Sequence, residues 1–353
     1  KTMPAAGVAL ALATLGMRWP AAGPGPRVDA RALELGARIG NGTYGDVHWA
    51  TLGGQRVVVK ASRSETEFAD EYFETEAYMN SLLAGRAPES PHLAPFLGTA
   101  TAEEGTKYLV WREAGRCTLR EVVSKGPGAA AELARLLGVD ADDRPALMRR
   151  VLRELLECLQ VVHAQKVVHR DVKPENFLVD GAARSIRLID FGSACEVGGW
   201  LHRRGYQWDR CPCSLLYAPP ETFIDERAPY AFDVYSAAIV WLRCLVPPLQ
   251  GETDAALSDF REELKGAGHR LDVWLRRALT EGTELASRDP RGWAEGLELF
   301  NGSFEGRLAW RLVRAMLDPE PSRRPTAGEA LYGPYLGPSC GSPDQAAPSP
   351  AEG

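Results

Sequence analysis

Two aspartates, a lysine and an asparagine lie near the middle of the chain in a spacing that suits proton transfer and cation binding. Residues 168–178 read VHRDVKPENFL and contain Asp171, Lys173 and Asn176; Asp190 follows in the run LIDFG. A carboxylate can accept a proton from a hydroxyl, and a lysine can balance negative charge as it develops. Carboxylate and amide oxygens also suit hard cations such as Mg²⁺. These residue types could therefore combine proton transfer with cation binding.

A glycine-rich segment earlier in the chain is suited to binding phosphates. Residues 39–47 read IGNGTYGDV, and Lys60 ends the β-branched run VVVK. Glycine lets the backbone bend tightly and approach a phosphate without a side chain in the way. A dinucleotide fold uses similar glycines but places a helix directly after them. Here a second strand is predicted instead, which favours a phosphate-covering hairpin over a dinucleotide site.

The elements that must position these residues fall into two regions. Between about residues 34 and 113, short β-rich runs dominate, interrupted by one helical pattern from Ser64 to Leu83 with Gly85 as its expected end. The strands are predicted at 35–39, 45–51, 55–61, 93–99 and 107–112. From about residue 129 onward helical patterns take over, at 145–165, 232–245, 271–279 and 308–317. We therefore expect an α+β protein with two lobes.

Composition excludes several other classes of protein. The 353 residues carry a net charge of −6, with 45% hydrophobic and 25% charged residues. These values are typical of a globular chain, and they lack the basic excess of a nucleic-acid-binding protein, so no nucleic-acid partner is predicted. The cysteine count of seven is odd, and no C-x-x-C pair occurs. A small secreted disulfide framework and a paired zinc motif are therefore both disfavoured.

The two ends of the sequence differ from the rest. The apolar run 5–17 is shorter than the roughly 20 residues that a membrane-spanning helix needs. It could be a short buried helix or part of a longer targeting or membrane segment, and a secretory signal is less favoured. Membrane association through a segment at or before these residues is therefore an open expectation. A Pro/Gly linker follows at 20–26, so residues 1–32 are predicted to form an N-terminal apolar segment and linker. The Pro/Ser/Gly-rich segment 336–353 reads as a flexible tail.

Taken in order, these motifs resemble those of the eukaryotic-type protein kinases from about residue 33 to 335. The resemblance covers the glycine-rich run, the V-x-K lysine, the H-R-D-x-K-x-x-N segment and D-F-G. It implies a bilobal fold with a small β-rich N-lobe at 33–113, containing one main helix, and a larger helical C-lobe at 114–335. It also implies ATP and Mg²⁺ as cofactors, with Mn²⁺ as a possible substitute, and proteins as substrates.

The same resemblance implies roles for the ionic residues. Lys60 would contact the α- and β-phosphates, steadied by a carboxylate of the next helix. Glu76 is preferred for this because Met79 and Leu83 then fall on the packed face, and Glu74 is the alternative.

Asp171 would accept or orient the proton of the attacking hydroxyl, and Lys173 would steady the γ-phosphoryl charge. Asp190 and Asn176 would ligate Mg²⁺. The expected nucleotide-binding residues are Ile39, Gly40, Asn41, Gly42, Thr43, Tyr44, Gly45, Val47, Val58, Lys60, Trp111, Arg112, Glu113 and Leu178. Trp111 falls at the position gating the back pocket, where its bulky indole should exclude large inhibitors.

Further positions match structural features of the family. Glu221 and Arg324 match a buried ion pair, Asp233 matches the helix aspartate that holds the catalytic loop, and Arg170 precedes the catalytic aspartate. Lys173 and Ser214 match Ser/Thr kinases, in which the Ser214 hydroxyl would reach Asp171 and Lys173.

The segment between the D-F-G motif and Glu221 contains three cysteines. A redox switch at Cys195, Cys211 and Cys213 is one hypothesis, and unreactive thiols are the alternative.

Three C-terminal runs, 232–242, 271–276 and 309–313, look similar to the plastid state-transition kinases of the thylakoid. That resemblance implies a chloroplast kinase, on the stromal side of the membrane, that phosphorylates light-harvesting antenna proteins on threonine. The alternatives are a soluble Ser/Thr kinase of another branch, which would be cytoplasmic, and a nucleotide-binding scaffold without catalysis.

Overall fold

The computed structural model describes residues 25–42, 45–63, 69–198, 213–221 and 224–338. They divide into two compact units. The described part of the first comprises 25–88 and 96–112, and that of the second comprises 89–95 and the residues from 113 onward. The apolar run 5–17 and residues 339–353 of the predicted tail lie outside the described residues. The start of that predicted tail is wrong, because Leu336 is buried and only 1% exposed.

The first unit is built on an antiparallel sheet of five strands. In chain order the strands are β1 (Leu33–Gly42), β2 (Gly45–Leu52), β3 (Gln55–Ser62), β4 (Phe96–Thr101) and β5 (Lys107–Arg112). Their order across the sheet is β1-β2-β3-β5-β4. Gly53 and Gly54 join β2 to β3 with positive φ angles of 57° and 81°, the conformation that a tight two-residue hairpin requires.

The two faces of this sheet are covered by different segments. One face carries Lys60 and Leu109, which are cross-strand partners, and packs against helix α1 (Ala69–Arg86) through an apolar cluster. The opposite face carries Val57 and Val59, both at most 1% exposed, because successive strand residues point to opposite sides. Each face therefore has its own apolar layer.

The segment before β1 covers the second face. Val28, Ala30 and Leu33 pack against its core cluster, and Val28 N–H donates a hydrogen bond to the Thr99 carbonyl oxygen over 2.9 Å. A Cβ at Gly98 would lie 2.2 Å from the Pro26 carbonyl oxygen, so this close approach requires glycine. Residues 25–32, which the sequence assigned to a linker, thus form part of the packed unit.

The second unit combines two small sheets with helices. A three-stranded sheet has the order β6-β8-β9, and a two-stranded sheet pairs β10 with β7. These strands are β6 (Cys117–Thr118), β7 (Val167–Val168), β8 (Phe177–Asp180), β9 (Ser185–Leu188) and β10 (Cys195–Glu196). Both sheets lie directly beside the HRD and DFG segments in the sequence, and so they fix the ends of those loops.

Helices make up most of the described remainder of the second unit. They are α2 (Leu119–Val123), α3 (Ala129–Leu137), α4 (Arg144–Ala164), α5 (Ala231–Leu245), α6 (Ala255–Gly266), α7 (Leu271–Glu281), α8 (Glu284–Arg288), α9 (Pro290–Asn301), α10 (Phe304–Met316) and α11 (Ala327–Tyr332). All residues of α5 are buried, so it is the central element of the unit. Among the described helices, none combines the length and apolar character needed to cross a membrane.

The expected α+β organisation is confirmed: a small sheet-rich unit contains one main helix, and a larger unit is helical. Several boundaries differ from the sequence predictions, and the structure gives a reason for two of them. Helix α1 continues through Gly85 to Arg86. A single glycine lowers the stability of a helix but does not by itself end it. Strand β4 begins at Phe96 instead of residue 93, because Leu93 bridges to Leu188 in the second unit's small sheet region.

Because α5 is buried on all sides, truncating one of its side chains should be costly. We expect Ile239→Ala, at a site that is 0% exposed, to lower the free energy of unfolding by about 2–5 kcal/mol. Leu279→Ala on α7, where the side chain is 57% exposed, should change it by about 0.5 kcal/mol or less. Urea unfolding followed by circular dichroism measures both. Equal losses would contradict the central position of α5.

Candidate active site

In the first unit, Lys60 and Glu76 form a buried ion pair. Lys60 Nζ donates to Glu76 Oε2 over 2.6 Å, and the two side chains are 7% and 4% exposed. Lys60 lies on β3 and Glu76 on α1, so the pair joins the sheet to its helix. The alternative carboxylate, Glu74, instead pairs with Lys107 at the surface. The structure thus brings together the two residues that the sequence preferred.

The glycine-rich hairpin lies beside the strand that carries Lys60. Gly40 pairs with Val47 across β1 and β2, and Val47 pairs with Lys60 across β2 and β3. A Cβ at Gly45 would lie 2.5 Å from the Ala61 carbonyl oxygen, so only glycine allows the strands to approach this closely. Asn41 and Gly42 pair with Asp46 and Gly45, while Thr43 and Tyr44 lie outside the described residues.

Other expected nucleotide-binding residues lie on the same sheet. Val58 on β3 is the cross-strand partner of Trp111 on β5, where Arg112 is the last residue. Ile39 on β1 is 45% exposed. The Trp111 indole packs against Phe96, with ring centroids 5.5 Å apart.

Two expected nucleotide contacts belong to the second unit. Leu178 lies on β8, and Glu113 begins the stretch of chain that follows β5.

In the second unit, the Asp171 carboxylate is the centre of a hydrogen-bond cluster. Its Oδ2 accepts from Lys173 Nζ over 2.6 Å and from Asn176 Nδ2 over 3.2 Å. Its Oδ1 accepts from the Ser214 backbone N–H over 3.0 Å. Ser214 therefore contacts Asp171 through its backbone, whereas the sequence had pointed to its hydroxyl. These bonds hold the carboxylate in one orientation.

The Lys173 ammonium is kept charged by its neighbours. Burial alone would lower its pKa, but the nearby charges of Asp171, Asp190 and Glu175 outweigh burial, and the pKa of Lys173 is raised. A permanently protonated amine beside a carboxylate can balance negative charge that develops near it.

Asp190 and Asn176 offer oxygen atoms suited to a hard cation. The Asn176 amide nitrogen is turned to the Asp171 main-chain oxygen, over 2.8 Å, so its amide oxygen is the atom left to act as a ligand. Asp190 adopts a left-handed backbone with a φ of 62°, and its Oδ1 accepts from the Gly192 N–H. A carboxylate together with an amide oxygen fits Mg²⁺.

Asp233, on α5, fixes the backbone of the loop that carries Asp171. Its two oxygens accept from the backbone N–H groups of His169 and Arg170, both over 2.8 Å. His163 Nε2 lies 2.9 Å from the same carboxylate. Burial alone would raise the pKa of Asp233, but these hydrogen bonds outweigh it and the pKa is lowered. The carboxylate is fully buried and ionised.

The described segment 213–221 is held in place by arginines. Arg324 binds Glu221 through two parallel hydrogen bonds of 2.6 and 2.7 Å. Arg243, on α5, donates to the Tyr217 hydroxyl over 2.6 Å and to Asp254 over 2.7 Å. Arg170, whose guanidinium contacts the Ser193 carbonyl oxygen, connects the start of the preceding segment to the catalytic loop.

Sequence reasoning missed three buried polar residues. Arg243 and His163 each lie on a largely apolar helix, and Asn80 lies one turn after Glu76 among buried neighbours. Each could have been found as a polar residue within a pattern of buried apolar positions. A polar side chain at such a position is rarely buried without a hydrogen-bond partner, so it predicts a specific contact.

The cysteine hypothesis is weakened at one of its three positions. Cys195 is buried on β10, and burial raises the pKa of its thiol, which disfavours the reactive thiolate. Cys213 packs at the edge of the same apolar cluster, and Cys211 lies outside the described residues. A redox role for Cys211 and Cys213 stays a prediction.

Comparison with known proteins yields one family and several relatives. The protein kinase domain family matches residues 33–336. The chain is 31% identical to the serine/threonine-protein kinase STN8, chloroplastic, of Arabidopsis thaliana, over 68% of this chain and 54% of that protein. It is 26% identical to the serine/threonine-protein kinase STN7, chloroplastic, of the same plant, over 95% of this chain and 65% of that protein. The chain thus spans about half to two thirds of these relatives.

A solved structure shows the same fold. It is the crystal structure of a Stt7 homolog from Micromonas algae soaked with ATP, with a TM-score of 0.68 and 23% sequence identity. The match covers 91% of this chain and 95% of that chain.

Replacing Asp233 tests the anchor of the catalytic loop. We expect Asp233→Asn to lower the free energy of unfolding by about 3 kcal/mol at neutral pH, because it replaces one buried carboxylate oxygen, an acceptor, with an amide nitrogen that can only donate. The matched surface variant Asp142→Asn, at an exposed position, should change it by about 0.5 kcal/mol or less.

The Asp233 contribution should also depend on pH in one direction. The folded pKa is lowered below the ordinary value of 3.8, so the stabilisation is present above pH 3.8 and is lost as the pH falls through the folded pKa. The gap in stability between wild type and Asp233→Asn should therefore be constant from pH 7 to 5 and narrow below pH 3.8. A gap that widens on acidification would contradict an ionised anchor.

Proposed function

Because the chain belongs to the protein kinase domain family, we propose that it is a chloroplast Ser/Thr protein kinase that transfers the γ-phosphoryl group of ATP to protein hydroxyls. One observation carries the proposal: the Asp171 carboxylate is held by Lys173, Asn176 and the Ser214 N–H. A carboxylate fixed in this way can accept the proton of an attacking hydroxyl group.

Each unit carries charged residues that suit phosphoryl transfer. Lys173 would balance the charge that develops on the γ-phosphoryl group, because its raised pKa keeps it protonated. Lys60, oriented by Glu76, would hold the α- and β-phosphates. Asp190 and Asn176 would hold Mg²⁺, which when bound neutralises phosphate charge and orients the γ-phosphoryl group.

The acceptor hydroxyl is proposed to belong to serine or threonine. Two features support this choice: Lys173 lies in the catalytic loop, and the Ser214 turn contacts Asp171 directly. Leu215, next to Ser214, is 82% exposed, and the protein substrate would contact this side chain. The sequence patterns had not indicated Leu215.

The chloroplast assignment is supported by the relatives. Two chloroplastic Ser/Thr kinases match the chain at 31% and 26% identity. We propose light-harvesting antenna proteins of the thylakoid as substrates and the stromal side as the place of action. The proposal rests on the resemblance of the C-terminal runs at 232–242, 271–276 and 309–313 to the plastid state-transition kinases.

A nucleotide-binding scaffold without catalysis is the rival proposal. Such a protein would need neither Asp171 nor Lys173 in a productive arrangement, whereas here both are present and hydrogen-bonded. Catalysis is therefore the proposal that we retain.

Two substitutions test catalysis directly. We expect Asp171→Asn and Asp190→Asn each to lower phosphoryl transfer by at least about 100-fold, because one removes the proton acceptor and the other a cation ligand. Transfer is measured with Mg²⁺, labelled ATP and a generic protein substrate, and thermal unfolding shows whether the fold persists. The exposed control Asp142→Asn should retain full activity. Unchanged turnover in both active-site variants would refute the assigned roles.

A separate experiment tests the substrate class. Wild type and Asp171→Asn are incubated with thylakoid membranes and labelled ATP, and labelled residues are identified by mass spectrometry. We expect threonines of antenna proteins to be labelled only by the wild-type protein. Labelling of a generic substrate without labelling of antenna proteins would favour a Ser/Thr kinase of another branch.

A further inference from the structure

A polar contact joins the helix that carries Glu76 to the sheet that carries Lys60. Trp111 Nε1, on β5, donates a hydrogen bond to Asn80 Oδ1, on α1, over 3.1 Å. Asn80 Nδ2 in turn donates to the Glu76 main-chain oxygen over 2.8 Å. A continuous path of hydrogen bonds therefore runs from the sheet to the residue whose carboxylate pairs with Lys60.

This contact lies beside an apolar cluster against which Trp111 packs. The side chains that fill the space between α1 and the sheet are Phe73, Ala77 and Leu109, with Phe96 packed at the edge. Asn80 is only 4% exposed, so its amide is removed from water. A buried amide oxygen without a partner loses its hydration without compensation. The Trp111 indole N–H is that partner, and the bond restricts where α1 can lie on the sheet.

The position of Trp111 on the sheet makes this contact relevant to Lys60. Trp111 is the cross-strand partner of Val58, which lies two residues before Lys60 on the same strand. Residues two apart on a strand point to the same face. The Trp111 and Lys60 side chains therefore face α1 together. A sliding or rotation of α1 that separated Asn80 from Trp111 would also move Glu76 away from Lys60, because one helical turn rigidly joins them.

An ion pair between α1 and β5 is a weaker constraint. Glu74 and Lys107 also form an ion pair of 2.6 Å, but each side chain is 36% exposed. Partly exposed ion pairs contribute little because water and salt screen them. The Trp111–Asn80 bond is directional and lies beside the apolar cluster, so it fixes the position of the helix more strictly.

We propose that Trp111 and Asn80 are positioning residues that hold α1 on the sheet and thereby keep the Glu76 carboxylate on Lys60. The bulky indole thus serves as a hydrogen-bond donor to the helix, in addition to the gating role that its position suggested. The effect on activity rests on the proposed kinase function.

The test uses Trp111→Phe, which keeps an aromatic ring but removes the N–H, and Asn80→Leu, which keeps the approximate volume. We expect each to lower kcat/KM for ATP about tenfold. The double variant should lose about tenfold as well, like the Asn80→Leu single variant, because Trp111→Phe removes no further hydrogen bond of Asn80 once its side-chain amide is gone. Independent losses that multiply to about 100-fold would overturn the proposal.

A matched control separates positioning from general stability. Trp274 Nε1 donates to Glu263 over 2.8 Å in the second unit, so Trp274→Phe removes the same kind of bond elsewhere. This variant should lower the unfolding temperature but leave kcat/KM for ATP within twofold of wild type. If Trp111→Phe shows only the same loss of stability, with unchanged kcat/KM, the positioning role is refuted.

A spectroscopic measurement tests the bond without relying on activity. In protein labelled with ¹⁵N-tryptophan, the Trp111 indole N–H, assigned from the Trp111→Phe spectrum, should exchange slowly with solvent. Asn80→Leu should shift this signal and speed its exchange. An unaltered signal would overturn the proposal. A wild-type protein that transfers no phosphate would contradict the proposed function instead, and the indole signal would still decide whether the bond exists.

Discussion

The buried carboxylate of Asp233 is the constraint on which the second unit depends. A fully buried charge is costly unless hydrogen bonds replace its water, and here two backbone N–H groups and His163 do so. Because Asp233 lies on α5, whose residues are all buried, it is held rigidly. The backbone of His169 and Arg170 is fixed by its hydrogen bonds to Asp233, and Asp171 is the next residue in the chain. The position of the proposed catalytic base thus depends on one helix.

The first unit achieves a comparable rigidity by different means. Its sheet is covered on one face by α1 and on the other by residues 25–33, and the Lys60–Glu76 pair joins the sheet to the helix. A buried ion pair adds little net stability, since desolvation offsets attraction. It does impose geometry, and so does the bond between Trp111 and Asn80. Both contacts define where the Lys60 ammonium lies.

The sequence allowed most strands and helices, and the residues able to carry out chemistry, to be predicted. Strands β2, β3 and β5 and helix α5 were predicted within one residue, because alternation and helical periodicity report which side chains are buried. Segments whose structure depends on contacts with distant residues were harder to predict. Residues 25–32 read as a linker, since nothing local shows that Val28 covers a sheet. Strand β4 was displaced because Leu93 finds a partner more than 90 residues away.

The amino-acid sequence by itself determined the family resemblance and the residue types available for chemistry, because motif spacing is a property of the chain. Only the tertiary structure decided that Lys60 pairs with Glu76 and not Glu74, that Ser214 contacts Asp171 through its backbone, and that Trp111 bonds to Asn80. These choices depend on helix rotation and on side-chain direction across different elements. The packing of segments that are distant in the chain sets these orientations, so a local sequence pattern does not predict them.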